Sequence, residues 1–375
     1  MSRNRVIYQS ESLYVSKDAS STSSGDHEEL IRVQSANYGF NINRQDVNQY
    51  GNLARIDSLV LESPTVNFDF SYYVGDGFNE KALGFDITSN AQFPSGFLET
   101  SSGRNFYIVT SDEGQDSTNF LAGDSYSLIG IGNAFLSDYT VDLSVGSLPT
   151  ATVSFEAANI NSTNGVIEGT APSNFHMSGD SPAIDIEEGT PLGKEVSILK
   201  PSNTGQGGPT ALRPGDIFIT FPGFTDDNSA LARISGDGKF NIQSANLSVP
   251  LSRSPIERLG SKFPFARVVD FPVNASMSVN AIVSEQETRD LSALISGCSS
   301  SNGEVRITMQ SCEGTDAIVW DLKGATLDSE SYSSSIGSNK TVDLTFGVQL
   351  GGVDDLENGI ICSGSGQNRP IFTLD

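Results

Sequence analysis

Apolar and polar residues alternate along much of the chain, as in β-strands with one buried face. In TVNFDFSYYV, from Thr65, the polar positions Asn67, Asp69 and Ser71 alternate with the apolar positions Val66, Phe68, Phe70 and Tyr72. The second half repeats the pattern, with Asn274, Ser276 and Ser278 between Val273, Ala275, Met277 and Val279. The 37 glycines and the frequent Ser, Asn and Asp supply turns. The alternation predicts a mainly β fold.

A few other elements are predicted within this β pattern. SEQETRDLSALISG predicts a helix with Ser284 as N-cap, Glu287 completing a capping box and Gly297 at its end. The matching place in the first half, FNEKALGF from Phe78, predicts a shorter helix. VDLSVGSLPTATVSFEA predicts a β-hairpin that turns at residues 146–149. The polar stretch 18–29 is expected to be a loop.

Two stretches of the first half recur in the second half in the same order. RVQSANYGFNINR from Arg32 matches NIQSANLSVPLSR from Asn241, an offset of 209 residues. With a three-residue insertion, residues 54–56 (ARI) then match residues 266–268 (ARV). AFLSDYTVDLSVGSLPTATVSF from Ala134 matches ATLDSESYSSSIGSNKTVDLTF from Ala325, an offset of 191 residues.

These echoes predict an internal duplication with a unit of about half the chain. The alternative is that β-rich stretches align by composition alone. The segment 161–189 is rich in Gly, Ser, Pro and Asn, so it is predicted to be a linker or crossing arm. The predicted domains are therefore 1–160 and 190–375, joined by the linker 161–189.

The charge of the chain restricts its partners. It has 22 Lys and Arg against 46 Asp and Glu, and the residues before and after position 160 each carry a net charge of −12. Such a surface repels the phosphates of nucleic acids and anionic membranes. No apolar run is long enough to cross a bilayer. We therefore expect neither tight DNA binding nor membrane insertion.

Side chains suited to catalysis or metal binding are scarce. His27 and His176 are the only histidines and are expected in loops, which argues against a catalytic triad or a zinc site. The odd number of cysteines, Cys298, Cys312 and Cys362, suggests reduced thiols. Paired carboxylates are common in so acidic a chain and carry little information. We predict no enzyme activity, no cofactor and no metal site.

The segment 31–77, IRVQSANYGFNINRQDVNQYGNLARIDSLVLESPTVNFDFSYYVGDG, resembles the tail tube proteins of long-tailed bacteriophages. In that family a strand, a long loop with a polar tip, two alternating strands and a short helix follow one another. RVIYQSESLYVS and SLPTATVSFEAANI resemble further parts of the pattern. The resemblance covers most of residues 5–160, and the second half joins it through the internal repeat.

The resemblance implies a structural protein of the virion. Tube proteins join their inner sheets into a closed barrel around a channel for DNA, and the rings stack through the long loop and terminal arms. Single-domain members form hexameric rings, so two tandem β-sandwich or barrel domains, each with about one helix, imply a homotrimer with pseudo-sixfold symmetry. The implied partners are further copies, a tape-measure protein, tail terminator and tip proteins, and double-stranded DNA that passes without tight binding. Assembly in the host bacterial cytoplasm is also implied.

Two sets of residues are predicted to carry this role. The polar positions predicted to face the lumen are Asn67, Asp69, Ser71, Asp142, Thr152, Ser154, Asn274, Ser276 and Ser278. The alternative is that these positions lie on the outer face of a sandwich, which would show the same alternation. The positions predicted to contact other subunits or rings, in the polar loops 43–54 and 252–265, are Arg44, Asp46, Asn48, Tyr50, Arg253 and Arg258. A loop without contacts is the alternative there.

A second functional class fits the same composition. A two-domain β-sandwich adhesin or carbohydrate-binding surface protein would also be β-rich, acidic and poor in cysteine. It predicts aromatic residues clustered at one loop end, whereas a tube protein predicts self-assembly. The two classes differ in whether the purified chain forms rings.

Overall fold

A computed structural model describes residues 6, 10–61, 63–98, 103–117, 125–166, 174–177, 181–185, 188–199, 212–222, 240–283 and 303–372. Within these ranges the chain is mainly β, with long antiparallel strands and two short α-helices. The predicted fold class is therefore confirmed. The helix predicted at 284–297 lies outside the described residues.

Eight antiparallel strands form one continuous sheet, named the inner sheet here. Its first-half members are β3 (Val33–Asn41), β6 (Thr65–Tyr73), β9 (Thr150–Ala157) and the second part of β8 (Ser125–Ser144). Its second-half members are β16 (Phe240–Pro250), β19 (Asn274–Val283), β22 (Thr341–Gln349) and the second part of β21 (Asp316–Ser333). Their order is β3-β6-β9-β8-β16-β19-β22-β21. The two halves thus share one sheet, joined where β8 pairs with β16.

The first parts of β8 and β21 leave the inner sheet and enter an outer layer. The other strands of this layer are β1 (Glu11–Ser16), β2 (His27–Glu29), β7 (Arg104–Ser111), β10 (Asn159–Val166), β15 (Ile217–Thr220), β20 (Gly303–Gln310) and β23 (Gly359–Gly364). In the first half, β8 pairs with β7 and β10, β7 also pairs with β1, and β1 pairs with β2. In the second half, β21 pairs with β20 and β23, and β20 pairs with β15. The main hydrophobic cluster includes inner-sheet and outer-layer residues, such as Phe68 and Phe106 with ring centroids 4.9 Å apart.

The remaining elements are short. The helices are α1 (Phe78–Leu83) and α2 (Ser95–Leu98), and 3-10 turns lie at Ser24–Asp26, Pro214–Asp216 and Ser365–Asn368. Four two-stranded pairs are β4 (Arg44–Val47) with β5 (Asp57–Val60), β11 (Asn174–Met177) with β14 (Val196–Leu199), β12 (Ile184–Asp185) with β13 (Thr190–Pro191), and β17 (Arg253–Ile256) with β18 (Ala266–Val269). The predicted helix near Phe78 and the predicted hairpin of β8 and β9 are confirmed.

The strand registers of the two halves coincide at the offsets seen in the sequence. Bulges fall at Gln34 in β3 and at Gln243 in β16, 209 residues apart. Each of these glutamines donates from Nε2 to the two preceding carbonyl oxygens. Bulges also fall at Ser137 in β8 and Asp328 in β21, 191 residues apart. We use the word counterparts for two kinds of pair. A residue at positions 33–73 is the counterpart of the residue 209 positions later, and a residue at positions 134–158 is the counterpart of the residue 191 positions later.

Four expectations from the sequence need correction. Residue 44 faces 60 as residue 253 faces 269, so these hairpins match at an offset of 209 and the predicted three-residue insertion is wrong. The loops at 43–54 and 252–265 contain strands of these hairpins. The stretch 18–29 contains β2, with His27 buried, and His176 lies in β11, so neither histidine is in a loop. The predicted linker begins within β10, because backbone pairing with β8 outweighs its loop-like composition.

One carboxyl group is buried beneath the inner sheet. Glu80 Oε1 accepts hydrogen bonds from the hydroxyls of Tyr72 at 3.0 Å and Tyr139 at 3.2 Å. Burial, with a smaller contribution from the nearby Asp76 carboxylate, raises the pKa of Glu80 from 4.5 to about 7. The folded chain therefore favours the protonated form of Glu80, and its stability falls as the pH rises from about 4.5 to about 7.

We expect Glu80→Gln to stabilise the chain at pH 8 but hardly at pH 5. Glutamine keeps the acceptor for both tyrosines without a buried charge, so the gain at pH 8 is up to about 3 kcal/mol. Urea unfolding at both pH values measures this gain, with the exposed Glu257→Gln as control. An equal effect of Glu80→Gln at pH 5 and pH 8 would contradict the raised pKa of Glu80.

Candidate assembly surface

All nine residues predicted to face the lumen lie on one side of the inner sheet. Cross-strand register places Ser71 beside Thr152 and Asp69 beside Ser154. Across the junction of the halves, Asp142 lies beside Asn246, which lies beside Ser278. Residues of the opposite phase, such as Phe68, Phe70 and Met277, are buried. The polar phase is therefore the open face of this sheet, and its assignment to a lumen remains a prediction.

The open face is polar, and its strands carry no basic residues. One row of small residues crosses all eight strands: Ser35, Ser71, Thr152, Thr140, Ser248, Ser276, Gly347 and Thr326. Neighbouring rows carry the carboxylates Asp69, Asp138, Asp142, Glu156 and Asp343. None of the inner-sheet segments contains Lys or Arg. The strands of this face therefore offer no cation to a phosphate, and Arg267, which reaches the face from β18, is paired with Glu156.

The two ends of the inner sheet are open edges. Among the described strands, β3 pairs only with β6, and residues 326–333 of β21 pair only with β22. On β3, Tyr38 and Phe40 have the same phase as buried Phe68 but are 43% and 64% exposed. Their counterparts at the junction of the halves, Leu247 and Val249, are 1% and 0% exposed. The same two positions are thus covered at the junction and uncovered at the edge.

The junction between the halves is an extended sheet contact. Seven residue pairs join β8 and β16, from Ser144 beside Ser244 to Asp138 beside Pro250. Asn246 Nδ2 donates to the Asp142 carboxylate at 2.6 Å. The Leu251 amide continues the pairing by donating to the Ser137 carbonyl at 2.8 Å.

The β17–β18 hairpin packs on the first half beside this junction. Arg253 donates to the carbonyl oxygens of Leu136 at 3.3 Å, Phe97 at 2.7 Å and Arg267 at 3.0 Å. Burial and the adjacent Arg267 lower the pKa of Arg253 to about 10. Arg267 forms an ion pair with Glu156 at 3.0 Å. Arg253 therefore contacts its own chain, and its predicted contact with another subunit is untested.

The other predicted contact residues lie on the two hairpins. Arg44 is exposed, Asp46 is paired with Arg55 of the same hairpin at 2.9 Å, and Asn48 and Tyr50 are exposed at its tip. Arg258 lies over the ring of Phe265, 5.7 Å from its centroid, within its own hairpin. The predicted contact residues therefore lie on two similar hairpins and do not form a single site.

Comparison with known proteins gives only distant structural likenesses. No protein-family model and no curated protein matches the chain. A chain from the cryo-EM structure of the anti-feeding prophage baseplate, symmetrised sixfold, is similar over 40% of this chain and 91% of its own length. Its sequence identity is 15% and its TM-score is 0.27, values that do not establish a family.

Other kinds of site have little support within the described ranges. No cluster of three or more His, Cys, Asp or Glu side chains there could hold a metal ion. The helices found there are too short and polar to cross a membrane.

Sequence reasoning missed the exposure of Tyr38 and Phe40. Their alternation with polar residues marks them as core positions, and their counterparts are indeed core residues. It also missed the ion pair of Arg267 with Glu156, whose partners are 111 residues apart. The matching stretches of the two halves are the sequence signal that bears on the exposure, because they align covered positions in one half with open positions in the other.

Proposed function

We propose that the chain is a structural subunit of a phage tail tube, and that three copies close into a ring through their inner sheets. The observation that carries this proposal is the junction of β8 with β16. In the order of the inner sheet, this junction joins the last strand of the first half, β8, to the first strand of the second half, β16. The same joint between β21 of one copy and β3 of the next would repeat it and close a ring.

The open edges favour such closure. An unpaired strand edge with exposed apolar side chains is a template for pairing with another chain. A neighbour's second half would cover Tyr38 and Phe40 as the first half covers Leu247 and Val249. The corresponding register would place Ser35 beside Ser335 and Asn41 beside Ser329 of the neighbour.

The open face suits a conduit for DNA. If the ring closes with the polar phase inward, small hydroxyl residues and carboxylates line the channel. Because cations that neutralise phosphates bind DNA more tightly with each added contact, their absence from this face would let DNA pass without being held. The nine predicted residues would then be lumen residues.

The hairpin tips favour stacking of rings. Tyr50 and its counterpart Leu259 are fully exposed at the tips of β4–β5 and β17–β18. Ile56 and its counterpart Phe265 are exposed beside them. Apolar residues at matching places on both hairpins would contact the next ring, with Asn48 and Arg258 at the rim. A tape-measure protein, terminator and tip proteins would be further partners in the virion.

Negative-stain microscopy of the purified chain at increasing concentration tests the proposal. We expect rings or short tubes with a central hole. A chain that remains monomeric at all concentrations would contradict the proposal and favour the adhesin or carbohydrate-binding alternative. Glycan-array binding by the monomer would then support that alternative.

A further inference from the structure

The packing site of the β17–β18 hairpin has an open counterpart on the second half. On the first half this hairpin covers Phe135 and Ala158, and a cavity of only about 10 Å³ remains. The counterparts of these two residues, Thr326 and Gln349, line a groove of about 700 Å³. Among the residues that the structure describes, the packing site is thus filled on the first half and open on the second.

A carboxylate lies at the same place in both sites. On the first half, Glu156 binds Arg267 of the hairpin. The counterpart of Glu156 is Gly347, and the Asp328 carboxylate reaches over Gly347 into the space that a Cβ there would need. Thr326 Oγ1 donates to Asp328 Oδ1 at 3.1 Å, which fixes this carboxylate at the groove. The groove therefore presents a negative charge where a hairpin cation would lie.

The β4–β5 hairpin supplies a matching cation. Arg44 is the counterpart of Arg253, whereas the counterpart of Arg267 is Ser58. Arg55, the other arginine of this hairpin, is already paired with Asp46. Arg44 is exposed and makes no hydrogen bond or ion pair with any described residue of its own chain. Arg44 is thus the cation that remains available for the groove.

The hairpin and the groove of one chain lie too far apart to meet. β4–β5 follows β3 at one end of the inner sheet, whereas Asp328 lies in β21 at the other end. Seven strand spacings of about 4.8 Å separate the two ends by roughly 34 Å. The hairpin that enters the groove must therefore come from a second copy of the chain.

We propose that Arg44 of one copy binds the Asp328 carboxylate and the Leu327 carbonyl oxygen of the next copy. Leu327 is the counterpart of Leu136, whose carbonyl accepts from Arg253. This inference rests on the proposed ring function and names the polar contact that fixes the position of one subunit on the next. Within the chain, Arg267 pairs with Glu156 and Arg253 donates to the Leu136 carbonyl. Between copies, Arg44 would make both kinds of contact, with Asp328 in the place of Glu156.

A charge swap tests this contact. Arg44→Glu and Asp328→Arg should each raise the concentration at which half of the chain assembles by about tenfold, because like charges then meet in the groove. The double variant should assemble within about threefold of the unaltered chain. Light scattering measures assembly, and circular dichroism checks that each monomer is folded. Lys17→Glu, an equal change of charge at an exposed outer-layer position, is the control.

The outcomes separate this inference from the proposed function. Ring formation by Arg44→Glu at the unaltered concentration would overturn the contact while leaving the ring function intact. Loss of assembly in both single variants without rescue in the double variant would overturn the direct pairing as well. If the unaltered chain forms no ring, the proposed function fails, and the contact between copies fails with it.

Discussion

Replacing Tyr38 and Phe40 together with serine should keep the chain monomeric at concentrations where the unaltered chain forms rings. Tyr38 is 43% and Phe40 64% exposed in the single chain, so the substitution should lower the free energy of unfolding by no more than about 2 kcal/mol. In a ring they would be buried against the next copy, so their loss removes most of the apolar contact at the joint. Sedimentation velocity and urea unfolding measure the two effects separately.

The counterparts provide a matched control for this prediction. Replacing Leu247 and Val249 with serine changes the same two strand positions at the junction within the chain. Because both are fully buried, this pair should lose about 3 kcal/mol of stability per residue and leave the chain largely unfolded. Normal rings from the Tyr38 and Phe40 variant would show that β3 is not the closing edge.

Replacing Asp69 and Asp142 with lysine should leave the rings intact but slow the passage of DNA. The substitutions put two cations per chain on a face whose strands contain none, and each attracts passing phosphates and releases counterions. In virions built with this variant we expect DNA release to slow by about tenfold at low salt and to recover as salt is raised. Fluorescence of a DNA-binding dye measures the release.

Two controls decide which face of the sheet is changed. Lysine at the exposed positions Asp316 and Asp354, outside the inner sheet, should leave DNA release unaltered. Cysteine placed at position 69 should resist reagents too bulky to enter the tube. Rapid labelling of position 69 together with normal DNA release would assign the polar face to the outside and leave the fold unchanged.

The sequence predicts those parts of the surface that depend on local alternation. Asn67, Asp69 and Ser71 could be placed on one face because the side chains of a strand alternate with a period of two. The same holds for Asn274, Ser276 and Ser278. Long strands with one buried face therefore allowed the fold class and the polar face to be predicted without coordinates.

Features that depend on distant neighbours could not be predicted in this way. Tyr38 and Leu247 are counterparts, yet only Leu247 is covered, because β8 lies beside β16 and no described strand lies beside β3 on that side. The hairpins at 44–60 and 253–269 have too little alternation to be recognised as strands. The division of β8 between two sheets falls between Ala134, which pairs with β7, and Phe135, which pairs with β9, and the residue pattern does not mark this point.

The number of chains in the smallest closed ring tests the central claim most directly. Native mass spectrometry of isolated rings, or cryo-EM of rings viewed along their axis, counts the chains. Two ring-forming halves per chain predict three chains per ring, with six similar segments around the hole. A ring of six chains would contradict the claim that each chain supplies two equivalent modules.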